Sequence, residues 1–251
     1  MVLDSVSILS AGEQGLVVEF GDSINAEVNF RVHKLAQKLV SLKDNRIIEV
    51  IPTYRSLLIY FDPIRISRDE LSKMVHAHLT QQTNQADQTD VKKVVYVPVC
   101  YGGEYGPDIE YVAGHNKLTV PEVIEIHTSA PYLVYMLGFT PGFPYLGGMS
   151  EKIATSRLEK PRTRIPAGSV GIAGSQTGFY PIESPGGWQL IGRTPVKAFN
   201  PKSENPFLFA AGDYLRFQAI TIKEYELICR DVEEDRFTPK SELIGMAGEL
   251  K

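Results

Sequence analysis

The sequence predicts a small α+β N-terminal domain followed by a mainly β domain. Residues 1–81 alternate short apolar runs with two helical patterns, in the order β-β-α-β-β-α. Residues 81–90 then contain a single hydrophobic residue, an alanine, which is typical of a linker. Between Gly138 and Gly192, 11 glycines and 6 prolines separate short apolar runs, a pattern that favours short strands joined by tight turns. We therefore predict an α+β domain at 1–81, a linker at 82–93, a barrel or sandwich at 94–230 and a C-terminal tail at 231–251.

Four runs in the N-terminal domain predict strands, because they are β-branched or aromatic and are bounded by turn residues. They are Val6–Leu9, Leu16–Phe20, Ile47–Ile51 and Leu57–Phe61. Between the second and third runs, apolar residues recur at spacings of three and four, which predicts one face of a helix with Asn25 as its N-cap. Those apolar positions are Val28, Val32, Leu35, Leu39 and Leu42. A second helix is expected to start at Ser67, since Ser67 and Glu70 have the spacing of a capping box. We expect both helices on one face of a small antiparallel sheet.

The second domain combines two short helices with several short strands. Proline near the first turn predicts helices at Pro107–Val112 and Pro121–His127. Apolar runs predict strands, which are Val94–Val99, Tyr132–Leu137, Val170–Ala173, Phe179–Ile182 and Leu190–Ile191. The residues after Cys229 are charged, and we expect them to form a helix or a loose tail.

Composition and charge exclude several classes of protein. Lys and Arg number 26 against 30 Asp and Glu, a net charge of −4 that argues against a nucleic-acid or membrane-surface binder. The sequence has no transmembrane-length apolar run and no signal-peptide pattern at its N-terminus. Its two cysteines, Cys100 and Cys229, are too few for a disulfide framework or a four-cysteine zinc site. We therefore expect a soluble, cytoplasmic protein without a structural metal.

Motifs for nucleotide binding and nucleophilic catalysis are missing from the sequence. It contains no Gly-Lys dipeptide, and so no phosphate loop, and no G-x-S-x-G elbow. None of its five histidines lies after His127, which excludes a Ser-His or Cys-His pair built within the glycine-rich block. His76 and His78 are two residues apart, a poor spacing for a metal pair on a helix.

One long segment carries the positive signal for a site. Between Ile165 and Gly192 the only charged residue is Glu183, and arginines flank this block on both sides. A lone carboxylate among glycines, with arginines nearby, can hold a small anionic or amide substrate, because guanidinium groups and backbone N–H groups both bind anions. The candidate substrate- or phosphate-binding residues are Arg162, Arg164, Gln176, Gly186, Gly187 and Arg193.

A structural interpretation of the same residues remains open. The glycines can serve only to allow positive φ at turns, and Glu183 can form an ion pair with Arg193 that ties two loops together. Trp188, the only tryptophan, can fill the core rather than contact a ligand. The residue types alone do not fix a reaction.

The chain resembles the KipI family, also called allophanate hydrolase subunit 1 and the B subunit of 5-oxoprolinase (PxpB). The resemblance covers about residues 5–230 and rests on four segments: Tyr101-Gly-Gly-Glu-Tyr-Gly-Pro-Asp108, Gly138-Phe-Thr-Pro-Gly-Phe-Pro-Tyr-Leu146, Pro161-Arg162, and Pro166 through Pro195. It implies that the C-terminal half is a cyclophilin-like β-barrel and the N-terminal half a small α+β domain. A shared fold does not by itself imply prolyl isomerase activity.

The resemblance implies a component of an ATP-dependent 5-oxoprolinase, which opens 5-oxo-L-proline to L-glutamate together with separate subunits A and C. ATP, with Mg²⁺, would be bound by the complex, and no biotin is expected because the chain lacks a Met-Lys-Met segment. One branch of the family instead inhibits a sporulation sensor histidine kinase by binding it, which is the alternative function. Under the enzymatic interpretation Glu183 is the catalytic candidate, positioning the ring N–H or a water. Phe139, Phe143, Tyr145 and Trp188 are candidate anchors for the partner barrel.

Overall fold

The chain divides into two units, Met1–Thr89 and Asp90–Lys251. The computed structural model describes residues 6–82 and 92–244. Most of the linker predicted at 82–93 lies outside the described residues, but both of its ends belong to regular elements. Gln82 is the last residue of a helix, and Lys92 is the first residue of a strand.

The first unit is a four-stranded antiparallel sheet with two helices. Its elements are β1 Ser7–Ala11, β2 Gly15–Glu19, α1 Ala26–Ser41, β3 Ile47–Pro52, β4 Ser56–Phe61 and α2 Arg68–Gln82. The strand order is β1-β2-β4-β3. Alternate residues of β2 and β4, such as Val18 and Ile59, are buried and share one core with residues of both helices, such as Leu35 and Leu71. This period-two burial is what a sheet covered on one face requires.

Local side-chain hydrogen bonds start both helices at the residues that the sequence indicates. Asn25 is the N-cap of α1, where its Oδ1 accepts a hydrogen bond from the Val28 N–H at 2.9 Å. Ser67 and Glu70 form the predicted capping box, since the Ser67 N–H donates to Glu70 Oε2 at 2.9 Å and the Glu70 N–H to Ser67 Oγ at 3.3 Å. The prediction that Leu42 continues the apolar face of α1 is wrong. The helix ends at Ser41, and Leu42 is exposed.

The second unit is mostly β. Its strands are β5 Lys92–Tyr101, β6 Tyr132–Leu137, β7 Pro144–Gly147, β8 Arg162–Ile165, β9 Ser169–Ala173, β10 Gln176–Phe179, β11 Ser184–Gly186, β12 Gln189–Arg193, β13 Tyr214–Ile220 and β14 Ser241–Ile244. Its helices are α3 Ile109–His115, α4 Val120–Thr128 and α5 Ile222–Glu233, with a short 3-10 turn at Glu151–Ile153. Among residues 6–82 and 92–244, no helix is long and apolar enough to cross a membrane.

Seven of these strands form a nearly closed, barrel-like sheet in the order β10-β9-β12-β5-β13-β6-β7. The terminal strands β7 and β10 contact each other, which almost closes the sheet. The long strand β5 pairs in parallel with β13 along one edge. Its other edge is divided, because β14 pairs with the start of β5 and β12 with its end. Strands β8 and β11 form a separate two-stranded ribbon.

Several features of the second unit differ from the predictions. The strand predicted at Phe179–Ile182 is wrong, because β10 ends at Phe179, and Tyr180 turns toward a cluster of aromatic side chains. The strands β7, β8, β11 and β13 were not predicted at all. The predicted tail contains β14, which is neither helical nor loose, because its backbone hydrogen-bonds to β5. Residues 245–251 of that tail lie outside the described residues.

Candidate functional site

A cavity of about 270 Å³ opens where the ends of β7 and β10 meet the turn after β11. Its lining residues are Phe139, Phe143, Tyr145, Arg157, Gln176, Tyr180, Pro185, Gly186, Gly187 and Trp188. We call this cavity the aromatic pocket. It brings together seven of the residues that the sequence singled out, which are Phe139, Phe143, Tyr145, Gln176, Gly186, Gly187 and Trp188.

The rings of the aromatic pocket pack edge to face around Phe143. The Phe143 ring centroid lies 5.1 Å from that of Tyr145, 5.9 Å from that of Tyr180 and 5.8 Å from that of Trp188. This geometry is favoured because the positive edge of one ring meets the negative face of another. Phe143, Tyr180 and Trp188 are buried, in a cluster separate from the main barrel core. The chain thus already buries two of the predicted partner anchors, Phe143 and Trp188, and they offer a partner only the surface that lines the pocket.

Phe139 stands at the mouth of the pocket in an unusual conformation. Its φ is +62°, a left-handed value that is rare outside glycine, and its residue surface is 68% exposed. Its ring contacts Phe143 edge to face at 5.7 Å. Phe139 also lines a second, shallower groove of about 480 Å³ together with Pro141 and Phe207. Of the four predicted anchors, Phe139 is the one whose side chain is free to contact another molecule.

Glycine at position 186 allows the pocket wall to approach Tyr180. A Cβ atom at Gly186 would lie 2.4 Å from the Tyr180 hydroxyl oxygen and 2.8 Å from Cδ1 of Ile165. Both distances are shorter than van der Waals contact, so any side chain at this position would displace the tyrosine. The role of Gly186 is therefore steric.

Tyr180 presents a neutral hydroxyl to the pocket. Burial raises its pKa above the usual value, and this effect outweighs the positive charges of Arg157 and Arg162 and a hydrogen bond from the Trp188 backbone, which act in the opposite direction. A neutral phenol can both donate and accept a hydrogen bond. The pocket therefore offers an uncharged hydroxyl close to two guanidinium groups.

Arg157 lines the pocket and was missed by the sequence analysis. Its segment, Ser156–Leu158, carries no apolar period and no recognisable motif. Two long-range hydrogen bonds hold that segment against the pocket wall. Gln189 Nε2 donates to the Ser156 carbonyl at 2.9 Å, and the Leu158 N–H donates to the Gly187 carbonyl at 2.7 Å. Both bonds join residues that are far apart in sequence, so neither can be recognised from the residues next to Arg157.

Arg162 supports the pocket from behind and does not line it. Its Nη2 lies 2.7 Å from Asp108 Oδ1, and its Nη1 donates to the Trp188 carbonyl at 3.3 Å. The other oxygen of Asp108 accepts a hydrogen bond from the Leu190 N–H at 2.6 Å. Three of the segments that carry the family resemblance are thus joined at a single carboxylate.

Glu183 and Arg164 form an ion pair outside the pocket. Arg164 Nε lies 2.7 Å from Glu183 Oε2, and the side chains of Arg164 and Glu183 are 77% and 49% exposed, respectively. The register of β8 and β11, in which Ser184 is opposite Ile165, brings the pair together. The alternative that Glu183 pairs with Arg193 is wrong. Arg193 lies over the ring of Tyr105 at 5.7 Å, and its Nε is buried without a hydrogen-bond partner among the described residues.

A buried polar chain crosses the barrel core at His127. Its Nδ1 lies 2.7 Å from the Tyr101 hydroxyl, its Nε2 lies 2.7 Å from Thr177 Oγ1, and that hydroxyl donates to the Gly171 carbonyl at 3.0 Å. All three bonds can form at once if the imidazole is neutral, with Nε2 protonated. Burial lowers the pKa of His127 to about 3. Because His127 and Thr177 are fully buried, this pair serves the packing of the barrel and has no access to a substrate.

Other reactive groups of the described residues are not arranged as a second site. Burial raises the pKa of both the Cys100 and the Cys229 thiols, so both are neutral at physiological pH. Within residues 6–82 and 92–244, no group of three or more His, Cys, Asp and Glu side chains is placed to hold a metal ion.

Comparison with known proteins places the chain in a family. Residues 6–209 match the family described as "Carboxyltransferase domain, subdomain C and D". The chain is 44% identical over 224 residues to a Bacillus subtilis protein named as the B subunit of 5-oxoprolinase, covering 85% of this chain and 92% of that protein. It is 38% identical over 207 residues to the Escherichia coli O157:H7 protein of the same name, covering 82% of this chain and 92% of that one.

A solved structure shares the fold at a lower level of identity. The Kluyveromyces lactis urea amidolyase matches 97% of this chain with a TM-score of 0.80 and 24% identity, and the match occupies 16% of that longer chain. At this identity the likeness concerns the fold alone. Together with the two bacterial relatives, the match over residues 6–209 shows that the chain belongs to the carboxyltransferase subdomain C and D family that includes the 5-oxoprolinase B subunits.

Proposed function

We propose that this protein is the B subunit of an ATP-dependent 5-oxoprolinase that opens 5-oxo-L-proline to L-glutamate with partner subunits A and C. The observation that carries the proposal is the 44% identity, over most of both chains, to a protein that bears this name. The aromatic pocket supports it, because its size suits a small lactam. The barrel-like sheet of the second unit is in keeping with the cyclophilin-like fold that the family resemblance implies.

In this proposal the reaction needs ATP because an unstrained lactam is a poor electrophile. Transfer of the γ-phosphoryl group to the amide oxygen activates the ring carbon, and water adds to that carbon. The C–N bond breaks, the ring nitrogen leaves as the amine, and a second water releases phosphate. Such steps require positive charge and hydrogen-bond donors around the transferred phosphoryl group.

The contribution of this chain is to bind and orient the lactam. The rings of Phe143, Tyr145 and Trp188 can enclose the apolar part of the substrate. The neutral Tyr180 hydroxyl and the Gln176 amide are groups that can pair with the lactam carbonyl and N–H. Glu183, on the surface two residues before the pocket-lining Pro185, is the candidate that positions water or a proton where a partner protein completes the site.

ATP is proposed to bind elsewhere in the complex. The pocket of about 270 Å³ lies below the size of roughly 300–1,000 Å³ that is usual for drug-sized ligands, and a nucleotide is at least that large. The sequence has no phosphate loop to hold a triphosphate. The nucleotide and its Mg²⁺ are therefore proposed to bind to a partner protein, or at the interface between this chain and a partner.

Reconstitution tests this function. The purified chain alone, subunits A and C without it, and all three together are each supplied with ATP and 5-oxo-L-proline, and glutamate release is measured. We expect activity only from the complete set. Full activity without this chain would remove it from the reaction, and activity from this chain alone would contradict the shared site.

A further inference from the structure

We propose that Arg157 is the anion anchor of the aromatic pocket, so that the pocket binds a small planar carboxylate whose charged group pairs with this guanidinium. The inference rests on the proposed function only for the identity of the ligand, 5-oxo-L-proline. The anchor itself is argued from the geometry of the chain.

The charge pattern of the pocket points to an anion. Arg157 is the one ionisable side chain among the described lining residues that is positively charged at neutral pH, and no Asp or Glu lines the cavity. Among the described residues Arg157 has no ion pair or hydrogen bond with another side chain, whereas Arg162 and Arg164 are each paired with a carboxylate. A charged ligand in this pocket therefore meets one cation that is available to it.

The backbone around Arg157 is fixed in place. Both of its neighbours in sequence are hydrogen-bonded to the pocket wall, Ser156 through the side chain of Gln189 and Leu158 through the carbonyl of Gly187. Gln189 is itself buried, at 3% exposure, so its amide is committed to this contact. Arg157 is exposed, so its guanidinium can turn toward a ligand, while its fixed backbone keeps it beside the pocket.

The side chains that line the aromatic pocket determine which kind of anion it can bind. Half of the lining residues are aromatic, and their rings favour a flat ligand with apolar edges over a bare inorganic ion. Arg157 and Tyr180 both line the cavity, and the positive charge of Arg157 acts on the Tyr180 hydroxyl against the larger effect of burial. The expected ligand is thus a small ring that carries its carboxylate next to a polar edge.

Trp188 gives a direct readout, because it is the only tryptophan of the chain and lines the pocket. The full chain is titrated with 5-oxo-L-proline, with 2-pyrrolidinone, which has the same ring without the carboxylate, and with inorganic phosphate, and Trp188 fluorescence is followed. We expect 5-oxo-L-proline to bind more tightly than either of the other two probes.

Two Arg157 variants and one control test the anchor. Arg157→Ala should weaken 5-oxo-L-proline binding about 10- to 100-fold, the range for a hydrogen bond to a charged group, and leave 2-pyrrolidinone binding unchanged. Arg157→Lys, which keeps the charge but not the planar fork, should weaken it less. Arg230→Ala removes an exposed arginine of α5 that does not line the pocket and should change neither affinity.

The outcomes separate the anchor from the proposed function. Wild-type protein that fails to bind 5-oxo-L-proline, or Arg157→Ala protein that binds it as tightly as wild type, would overturn the anchor. Equal loss for both rings would do the same, because it would indicate a distorted pocket. Tight, Arg157-dependent binding with no activity in the reconstituted complex would keep the anchor and reject the function. If the complex is active but the isolated chain does not bind 5-oxo-L-proline, the proposed function is kept and the anchor is rejected.

Discussion

Arg162 and Asp108 lie 54 residues apart in sequence and form an ion pair of 2.7 Å behind the aromatic pocket. The Asp108 carboxylate also accepts the Leu190 N–H, and its side chain is only 13% exposed. The pair therefore holds the loop before α3, the strand β8 and the strand β12 in one arrangement.

Replacing Asp108 should destabilise the second unit. Asp108→Ala leaves the Arg162 guanidinium and the Leu190 N–H without their acceptor, and we expect a loss of about 3 kcal/mol in the free energy of unfolding. For a unit of this size, this corresponds to a fall in the unfolding midpoint of roughly 6–12 °C. Scanning calorimetry measures the shift, and a midpoint within about 2 °C of wild type would show that the pair contributes little.

Glu183→Gln should leave stability unchanged. Because the Glu183–Arg164 pair is largely exposed, its contribution is on the order of 0–1 kcal/mol, and the midpoint should move by no more than about 2–4 °C. If Glu183 positions water or a proton in the complex, the rate of glutamate release should fall about 100-fold. Arg164→Gln, which removes the other half of the pair, is the matched control. A stable variant with full activity would leave Glu183 as a solvated loop residue.

Phe139→Gly should leave the stability of the chain nearly unchanged but weaken its binding to a partner subunit. The substitution relieves the positive φ, worth roughly 1–2 kcal/mol, and removes an edge-to-face contact worth about 0.5–1.5 kcal/mol, so the unfolding midpoint should hardly change. If Phe139 is a partner anchor, the affinity for the C-type partner should fall at least about 30-fold, as for an interface hot spot. Tyr111→Ala, at another exposed aromatic residue, is the control, and calorimetric titration with the same partner gives both affinities. Equal affinities for wild type and Phe139→Gly would exclude this role.

The buried His127 should make the second unit less stable in mild acid. Its pKa is about 3 in the folded chain and about 6.5 in the unfolded chain, so between these values only the unfolded state binds the proton. The free energy of unfolding should therefore be largest above pH 6.5 and fall by about 1.4 kcal/mol per pH unit below it. Urea titrations at about pH 7 and pH 5.5 would measure this loss before most carboxylates titrate. His127→Gln should have lower stability at neutral pH and a smaller dependence over the same range, and an unchanged dependence would assign the effect to another group.

Features that depend on neighbouring residues could be predicted from the sequence. Asn25 and the Ser67–Glu70 pair act within a single helical turn, so their spacing was enough to predict the caps. The aromatic and glycine residues of the pocket were also found, because they are concentrated in one unusual segment. The sequence left open whether Trp188 fills the core, and it did not indicate that Phe143 also faces inward, where the two rings contact each other.

Features that depend on distant backbone contacts could not be predicted. Arg157 belongs to the pocket because Gln189 and Gly187, much later in the sequence, hold its segment in place. Strand β14 exists because an edge of β5 is available to it, not because Ser241–Ile244 carries a strong pattern of its own. The partner of Glu183 was likewise decided by the register of β8 and β11. In each of these cases, the contact that determines the local structure joins two segments that are distant from each other in sequence.

The pairing of β14 with β5 also bears on how this fold can be joined to other proteins. Ile244 lies opposite Lys92 in that ladder, so the first and last described residues of the second unit lie at neighbouring points of one sheet edge. A module whose two ends adjoin can be inserted into a loop of a host protein without stretching either partner. The Kluyveromyces lactis urea amidolyase matches 97% of this chain, and so both of its units, within a much longer chain. Adjacent ends therefore suit the described part of this unit to insertion into chains of different lengths.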